Sequence, residues 1–147
     1  MYAAGISNGG FFAQRLALEN SKEVKAVATV AATMPEALSK VKTIDHPIPI
    51  MIVHGTQDPL VPFEGGRVRA GAKGLILSAR DSASKWAELN GCNANPDNPD
   101  VTDLPNTIED SMHVRVERYG RCKDGAEVLL YVIEGRPDVA RWPSILS

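Results

Sequence analysis

The sequence lacks the features that mark several classes of protein. Its 16 basic and 18 acidic residues nearly balance, so there is no positive excess of the kind that nucleic-acid-binding proteins carry. No apolar run approaches the ~20 residues that a membrane-spanning helix needs. The segment from Met1 to Gly5 has neither a basic stretch nor a cleavage site, so no signal peptide is recognised in this chain. We therefore expect neither nucleic acid nor a membrane as a partner.

Cysteine and histidine are also scarce. The two cysteines, Cys92 and Cys122, do not form a Cys-x-x-Cys pair, and the three histidines are scattered. This spacing does not fit the ligand set of a zinc site, so no metal is predicted. One disulfide, which would imply an oxidising compartment, and two free thiols both agree with the count.

What the sequence does contain is a regular alternation of apolar segments. Residues 1–4, 24–31 and 48–53 are short and mostly apolar, and the last two are β-branched, which suits buried parallel strands. A helix is expected from Gly9 onward, where apolar and polar positions alternate with helical spacing. A second helix is expected over residues 81–90.

The second half continues the pattern with one long connection. Residues 93–106 are rich in Asn, Asp and Pro and are predicted to be a loop. Two further strands are predicted at 114–119 and 127–133, on either side of a turn. Strands that alternate with helices indicate an α/β fold, with a mainly parallel sheet and flanking helices. The length of 147 residues suits one domain.

The segment Gly5-Ile6-Ser7-Asn8-Gly9 lies between a predicted strand and a predicted helix. A serine hydroxyl is a poor nucleophile unless a base removes its proton, so it must be presented where a base can reach it. A sharp strand-to-helix turn does this, and side chains at its two glycines are expected to clash. The sequence therefore predicts Ser7 as a nucleophile and the backbone amide of Asn8 as a donor to the oxyanion.

Asp58 follows the third predicted strand, in the segment His54-Gly55-Thr56-Gln57-Asp58-Pro59. An acid at the carboxyl end of a strand, later in the chain than the serine, fits the hydrolase order of serine, acid and histidine. Its role would be to hold an imidazole in one tautomer and to stabilise the imidazolium. An aspartate that only begins the turn at Pro59 fits the same residues.

Together these segments resemble the polyhydroxybutyrate depolymerase and feruloyl-esterase-like family of α/β-hydrolases. The resemblance implies that Ser7 is the nucleophile, Asp58 the triad acid and Asn8 an oxyanion-hole amide. It also implies a disulfide between Cys92 and Cys122, a secreted parent protein, and small-molecule or polymeric esters as substrates without any cofactor. The matching segments are Gly5 to Gly10, His54 to Gly66, Trp86 to Cys92, Tyr119 to Cys122 and Glu127 to Gly135.

Two departures from the family pattern limit what the resemblance implies. The family has strands and helices ahead of the nucleophile strand, including the loop that supplies the second oxyanion amide, whereas this chain begins in that strand. We therefore expect residues 1–147 to be the C-terminal portion of one α/β-hydrolase domain. The first strand should then lie at an exposed edge instead of the centre of the sheet, and one missing oxyanion donor typically costs ~100- to 1,000-fold in rate.

The second departure is the catalytic base. The family ends in Glu-Gly-Gly-Gly-His-Thr-Trp-Pro-Gly, whereas Glu134-Gly135 is followed here by residues that place Asp138 or Ala140 at the histidine position. Of the three histidines, His46 and His113 are expected at the wrong end of the sheet. His54 lies nearest but is expected to pack under the loop. No replacement base is evident.

A frameshift just after Gly135 would explain this tail. The codons possible for Asp138 to Pro143, read one base later, allow Thr-Trp-Pro-Gly, the segment that follows the histidine in the family. Residues 136–147 would then be an out-of-frame tail, a hypothesis that DNA sequence incompatible with the shifted reading would refute. Two functions remain open: a serine ester hydrolase by lineage, inactive in this form, and a non-catalytic remnant or binding module.

Overall fold

The strands predicted from the apolar segments form one sheet. A computed structural model describes residues 1–69, 74–92, 98–105 and 112–135. The helices are α1 (Asn8–Glu19) and α2 (Ala79–Leu89), with short 3-10 turns at Glu36–Lys40 and Lys123–Gly125. The strands are β1 (Tyr2–Ile6), β2 (Ala26–Val30), β3 (Ile50–Gly55), β4 (Gly66–Arg67), β5 (Leu75–Ile76), β6 (Asp100–Asp103), β7 (His113–Tyr119) and β8 (Val128–Glu134).

The six-stranded sheet has the order β1-β2-β3-β8-β7-β6. The first four strands are parallel, and β7 and β6 continue the sheet in antiparallel fashion. This confirms the α/β class and the mainly parallel sheet. The predicted loop over 93–106 is wrong in part, because Asp100–Asp103 pairs with β7 although three of its four residues are polar. The small antiparallel pair of β4 and β5 was also not predicted, since each strand has only two residues.

Both helices pack on the same face of the sheet. Trp86 of α2 is fully buried and donates its indole N–H to Gln14 Oε1 of α1 at 3.0 Å. The second helix begins two residues earlier than predicted, because Ser78 accepts a hydrogen bond from the amide of Asp81 and caps it. At its other end, the side chain of Asn90 makes hydrogen bonds of 2.7 and 2.8 Å to both backbone polar groups of Ile48. These contacts anchor the helices to the parallel strands.

The opposite face of the sheet is open in the described part of the chain. Side chains alternate along each strand, so every second residue points away from the helices. Tyr2 is 80% exposed and Ile6 57%, with Val30 and Met51 at 39% and 36%. Among the described residues β1 has only β2 as a neighbour, which confirms the expected edge position. This edge and this face are apolar surface that a complete doubly covered sheet would bury.

The predicted disulfide is present between Cys92 and Cys122. It joins the segment after α2 to the turn between β7 and β8. A backbone hydrogen bond from Lys123 to the carbonyl of Asn90 runs beside it, at 3.0 Å. The alternative of two free thiols is therefore wrong, and the turn between β7 and β8 is linked covalently to the segment after α2.

Candidate active site

Ser7 occupies a strained turn between β1 and α1. Its φ of 52° and ψ of −118° lie outside the regions that L-residues normally adopt. The Ser7 amide donates to Val30 O at 2.9 Å, and the Ser7 carbonyl accepts from the amides of Gly10 and Phe11. The strand pairing and the helix thus each hold one side of the serine. Strain of this kind needs surrounding contacts to maintain it and is frequent at functional sites.

The glycines around Ser7 do not contribute equally. A Cβ placed on Gly5 would overlap the carbonyl group of Gly9, so α1 approaches β1 too closely for any side chain there. A Cβ on Gly9 would meet nothing within 4 Å, whereas one on Gly10 would lie 2.5 Å from the Cβ of Ala32. The prediction that side chains clash at both glycines of the pentapeptide is therefore right for Gly5 and wrong for Gly9. Gly10 is the second position at which a side chain would clash, because it packs against Ala32, which follows β2.

Asn8 is the first residue of α1 and is exposed. Amides in the first turn of a helix lack an acceptor within the helix, and the helix dipole places partial positive charge there. An oxyanion that forms beside Ser7 would therefore meet favourable electrostatics at this helix end. The position agrees with the predicted role of the Asn8 amide, which stays a prediction.

Asp58 lies in a tight loop after β3 that its own carboxylate organises. Its Oδ1 accepts hydrogen bonds from the amides of Leu60 and Val61, both at 2.9 Å. The side chain is only 15% exposed. The other oxygen, Oδ2, lies 4.0 Å from the Nε2 of the buried His54. The interpretation of Asp58 as the residue that begins the turn is therefore confirmed, and its role as the triad acid stays a prediction.

His54 is buried beneath this loop and makes a hydrogen bond to it. The residue is 1% exposed, and its Nε2 donates to the carbonyl of Val61 at 2.8 Å. Burial lowers the pKa of His54 below its usual value, despite the carbonyl and the Asp58 charge that act in the opposite direction. Its Nε2 is also 4.0 Å from Asp58 Oδ2, but a neutral ring whose N–H is committed to Val61 forms no ion pair there. The expected packing of His54 under the loop is confirmed.

The candidate residues Ser7 and Asp58 lie at the same end of the sheet, where the parallel strands have their carboxyl ends. In the parallel register Ile6 pairs with Val30, Val30 with Val53, and Gly55 with Ile133, so these strands end side by side. Ser7 leaves β1 and Asp58 follows β3, two strands away. At ~4.8 Å per strand, about 10 Å separates the two strand ends. An imidazole between the two side chains would span that distance, as in a serine–histidine–acid arrangement.

The other histidines do not supply that imidazole. His46 precedes β3 and lies at the opposite end of the sheet, as expected. The expectation that His113 lies at the end of the sheet away from Ser7 is wrong. Because β7 is antiparallel to β8, its first residue His113 pairs with Glu134 and lies at the same end of the sheet as Ser7. Four strand-to-strand spacings lie between β1 and β7, however, which is roughly 19 Å at ~4.8 Å each. The Nε2 of His113 also lies 3.0 Å from Asp103 Oδ1. Asp138 and Ala140, the two positions aligned with the family's histidine, lie outside the described residues.

Sequence reasoning also missed an apolar pocket beside the turn. Its lining residues come from α1 and from the β4–β5 pair, and they include Asn8 and Phe11. No regular apolar period marked the pocket in the sequence, because its lining residue Val68 lies between Arg67 and Arg69. Within the described ranges, no group of three or more histidine, cysteine or acidic side chains is placed to hold a metal ion. Nor is any helix in those ranges both long and apolar enough to cross a membrane.

Comparison with known proteins relates the chain to esterases. Feruloyl esterase B of Piromyces equi is 30% identical over 145 residues, which covers 92% of this chain and 24% of that protein. The putative esterase NocK of Nocardia uniformis is 42% identical over 65 residues, 44% of this chain and 19% of that protein. The probable feruloyl esterase C of Aspergillus flavus is 32% identical over 91 residues, 62% of this chain and 28% of that protein.

The chain therefore spans about a quarter of the length of the curated relatives it matches. No protein-family model matches it. The shared sequence supports an esterase-like family for this chain, and these three names do not include a polyhydroxybutyrate depolymerase.

Proposed function

We propose that this chain is the C-terminal portion of an esterase domain with the α/β-hydrolase fold, and that Ser7 is its nucleophile. Ser7 Oγ attacks the carbonyl carbon of an ester, the alcohol leaves, and water then hydrolyses the acyl-enzyme. The amide of Asn8 stabilises the oxyanion, and Asp58 orients the base. The observation that carries the proposal is the strained strand-to-helix turn at Ser7, on the same sheet edge as Asp58.

The base is the missing component. In the proposed mechanism the Ser7 proton passes to a histidine that follows β8, and the chain here continues from Gly135 without one. The end of β8 is a suitable place for it, because β8 is the direct neighbour of the strand that Asp58 follows. A serine triad that lacks one member keeps only weak residual catalysis. We therefore propose that the chain in its present form is inactive or nearly so, with residues 136–147 an out-of-frame tail.

The proposed substrates are carboxylic esters: feruloyl or acetyl esters, or hydroxyalkanoate oligomers. The names of two of the relatives favour the feruloyl type. The proposal includes secretion of the full-length protein, which the Cys92–Cys122 disulfide supports, because disulfides persist in oxidising compartments.

A second candidate is a non-catalytic remnant or a binding module built on the same fold. One observation favours it: none of the three histidines, all of which lie in the described ranges, is placed to accept a proton from Ser7. His54 is buried and engaged, His46 is at the opposite end of the sheet, and His113 is four strands away. This candidate predicts that no turnover depends on Ser7 even after a base is supplied.

The two candidates are separated by restoring the tail. Residues 136–147 are replaced by Gly-Gly-His-Thr-Trp-Pro-Gly, and hydrolysis of p-nitrophenyl acetate is compared with that of the original chain, each with and without Ser7→Ala. Because the base alone is restored, we expect at least a ~100-fold rise that Ser7→Ala abolishes. A folded restored chain, verified by circular dichroism, that shows no Ser7-dependent gain would refute the esterase proposal. Sequencing the encoding DNA beyond both ends of the frame tests the frameshift itself.

A further inference from the structure

The outer edge of β1 presents backbone groups that pair with no strand in the described part of the chain. On its inner side, the Ser7 amide donates to Val30 O at 2.9 Å. At the other end of the strand, the Met1 carbonyl accepts from the Lys25 amide at 2.7 Å. Because backbone polar groups alternate in direction along a strand, the odd-numbered residues of β1 face β2 and the even-numbered ones face outward. The outward-facing residues are Tyr2, Ala4 and Ile6.

We propose that two copies of this chain associate through this edge, with β1 of one copy antiparallel to β1 of the other about a two-fold axis at Ala4. In this register Ala4 lies opposite its own counterpart, and Tyr2 lies opposite Ile6 of the second copy. Each pair consists of two outward-facing residues, so each pair exchanges two hydrogen bonds. The edge is therefore complementary to itself under the two-fold symmetry that most protein dimers adopt.

The side chains of the outward-facing residues meet on the open face of the sheet. Tyr2 is 80% exposed and Ile6 57%, and both point away from the helices. Directly opposite residues of an antiparallel pair share one face, so the ring of Tyr2 packs on Ile6 of the second copy. The symmetry repeats this contact, and aromatic and β-branched side chains form favourable cross-strand pairs. The association thus covers the two most exposed apolar side chains of β1.

The helix layer fits the same arrangement. Helix α1 packs over β1 and β2, and Gln14 faces α2, where it accepts from Trp86. Phe12 is 64% exposed and lies two positions before Gln14, a rotation of ~200° about the helix axis, so it points toward the outer side. With strands ~4.8 Å apart, two helices that each lie half a spacing inside the edge are ~10 Å apart, a separation at which helices pack. The two-fold axis therefore brings Phe12 of each copy to the contact between the two α1 helices.

Charge distinguishes this edge from the opposite edge of the sheet. The five residues of β1 include no charged residue and no proline. The strand at the opposite edge, β6, has an aspartate at each end, and all four of its residues are exposed. Centred antiparallel pairing of two β6 strands would place Asp100 opposite Asp103 of the second copy and bring like charges together. Self-association is therefore expected through β1 and not through β6.

The inference goes beyond the proposed function, because association requires neither Ser7 nor a catalytic base. A closed two-fold contact uses the β1 edge of both copies, so assembly stops at the dimer. The contact is confined to one strand and one helix of each copy. Its area is therefore at the small end of specific interfaces, and micromolar association is expected.

The first test is sedimentation equilibrium of the unmodified chain from micromolar to submillimolar concentration. We expect the mass to rise from 15.8 kDa toward twice that value and then to level off. Tyr2→Lys replaces an apolar contact by a charge at two symmetric places, so association should weaken by at least ~10-fold. The matched control is Val101→Lys, at a 54% exposed valine of β6, which should leave association unchanged. Circular dichroism verifies that both variants are folded.

A cysteine at the two-fold axis tests the register. Directly opposite residues of a hydrogen-bonded antiparallel pair have Cα atoms ~5.5 Å apart, within the reach of a disulfide. The two native cysteines are bonded to each other, so Ala4→Cys supplies one free thiol per chain. On mild oxidation Ala4→Cys should form a covalent dimer, whereas Val101→Cys should not.

A mass of 15.8 kDa at every concentration would overturn the proposal, and so would growth beyond the dimer. The proposal would also be wrong if Val101→Lys weakened association as much as Tyr2→Lys. A dimer in which Ala4→Cys does not cross-link would contradict it as well, because the contact would then lie elsewhere.

Discussion

Three glycines around the serine turn provide a direct test of how closely α1 packs on the sheet. Each is replaced by alanine, so the chemical change is the same and only the surroundings differ. The added Cβ would overlap the carbonyl group of Gly9 in Gly5→Ala, and it would lie 2.5 Å from Ala32 Cβ and 3.3 Å from Thr29 Cβ in Gly10→Ala. In Gly9→Ala it would meet nothing within 4 Å.

The expected magnitudes follow from two opposing effects. Alanine stabilises a helix relative to glycine by about 0.5–1 kcal/mol. Carbon atoms prefer separations of ~3.5–4.0 Å, and forcing extra atoms into a packed site typically costs ~1–3 kcal/mol. Gly9→Ala should therefore be stabilised by about 0.5–1 kcal/mol and Gly10→Ala destabilised by about 1–2 kcal/mol. For Gly5→Ala the obstacle is backbone, so a loss of roughly 2–3 kcal/mol is expected.

Urea unfolding, followed by circular dichroism, measures these differences. With a slope of ~1–3 kcal/mol per molar urea, a gap of about 2 kcal/mol between Gly9→Ala and Gly10→Ala moves the midpoint by roughly 1 M. Equal midpoints for the three variants would contradict the reasoning, because it attributes the whole difference to local space. A Gly9→Ala variant less stable than Gly10→Ala would contradict it as well.

Three further perturbations have defined outcomes. Gln14→Leu leaves the buried indole N–H of Trp86 without an acceptor and the carbonyl of Thr33 without its donor. Urea unfolding should therefore show a loss of about 2–4 kcal/mol, and a neutral result would contradict these hydrogen bonds. Replacing both Cys92 and Cys122 by serine opens a link with a sequence separation of 30, which should cost about 3–4 kcal/mol in the same assay and make the protein insensitive to reductant. Burial lowers the pKa of His54, so the unfolded chain binds a proton at this residue more readily than the folded chain does. The free energy of unfolding should therefore be highest above pH 6.5 and should fall as the pH drops below that value. In His54→Gln this part of the dependence of stability on pH should be absent.

The local pattern of residues was sufficient to predict much of this molecule. Strand and helix order, the turn at Ser7 and the place of Asp58 after the third strand all follow from short apolar segments and the residues that bound them. Such features depend on neighbours a few positions apart, so they are encoded locally. The disulfide was implied by resemblance, because two cysteines alone left free thiols equally open.

Other features depend on contacts between distant segments, and only the tertiary structure decided them. The antiparallel direction of β7 brings His113 to the end of the sheet at which Ser7 lies. The strand β6 forms although three of its four residues are polar, because β7 supplies its hydrogen bonds. The steric requirement falls on Gly10 instead of Gly9 because Ala32 lies against one and not the other. The sequence by itself therefore determined the two helices and the main strands, and it predicted the residues that are candidates for chemistry. The packing of the sheet decided which of these residues lie near each other. Contacts between residues that are distant in the sequence depend on the whole fold, so no local sequence pattern predicts them.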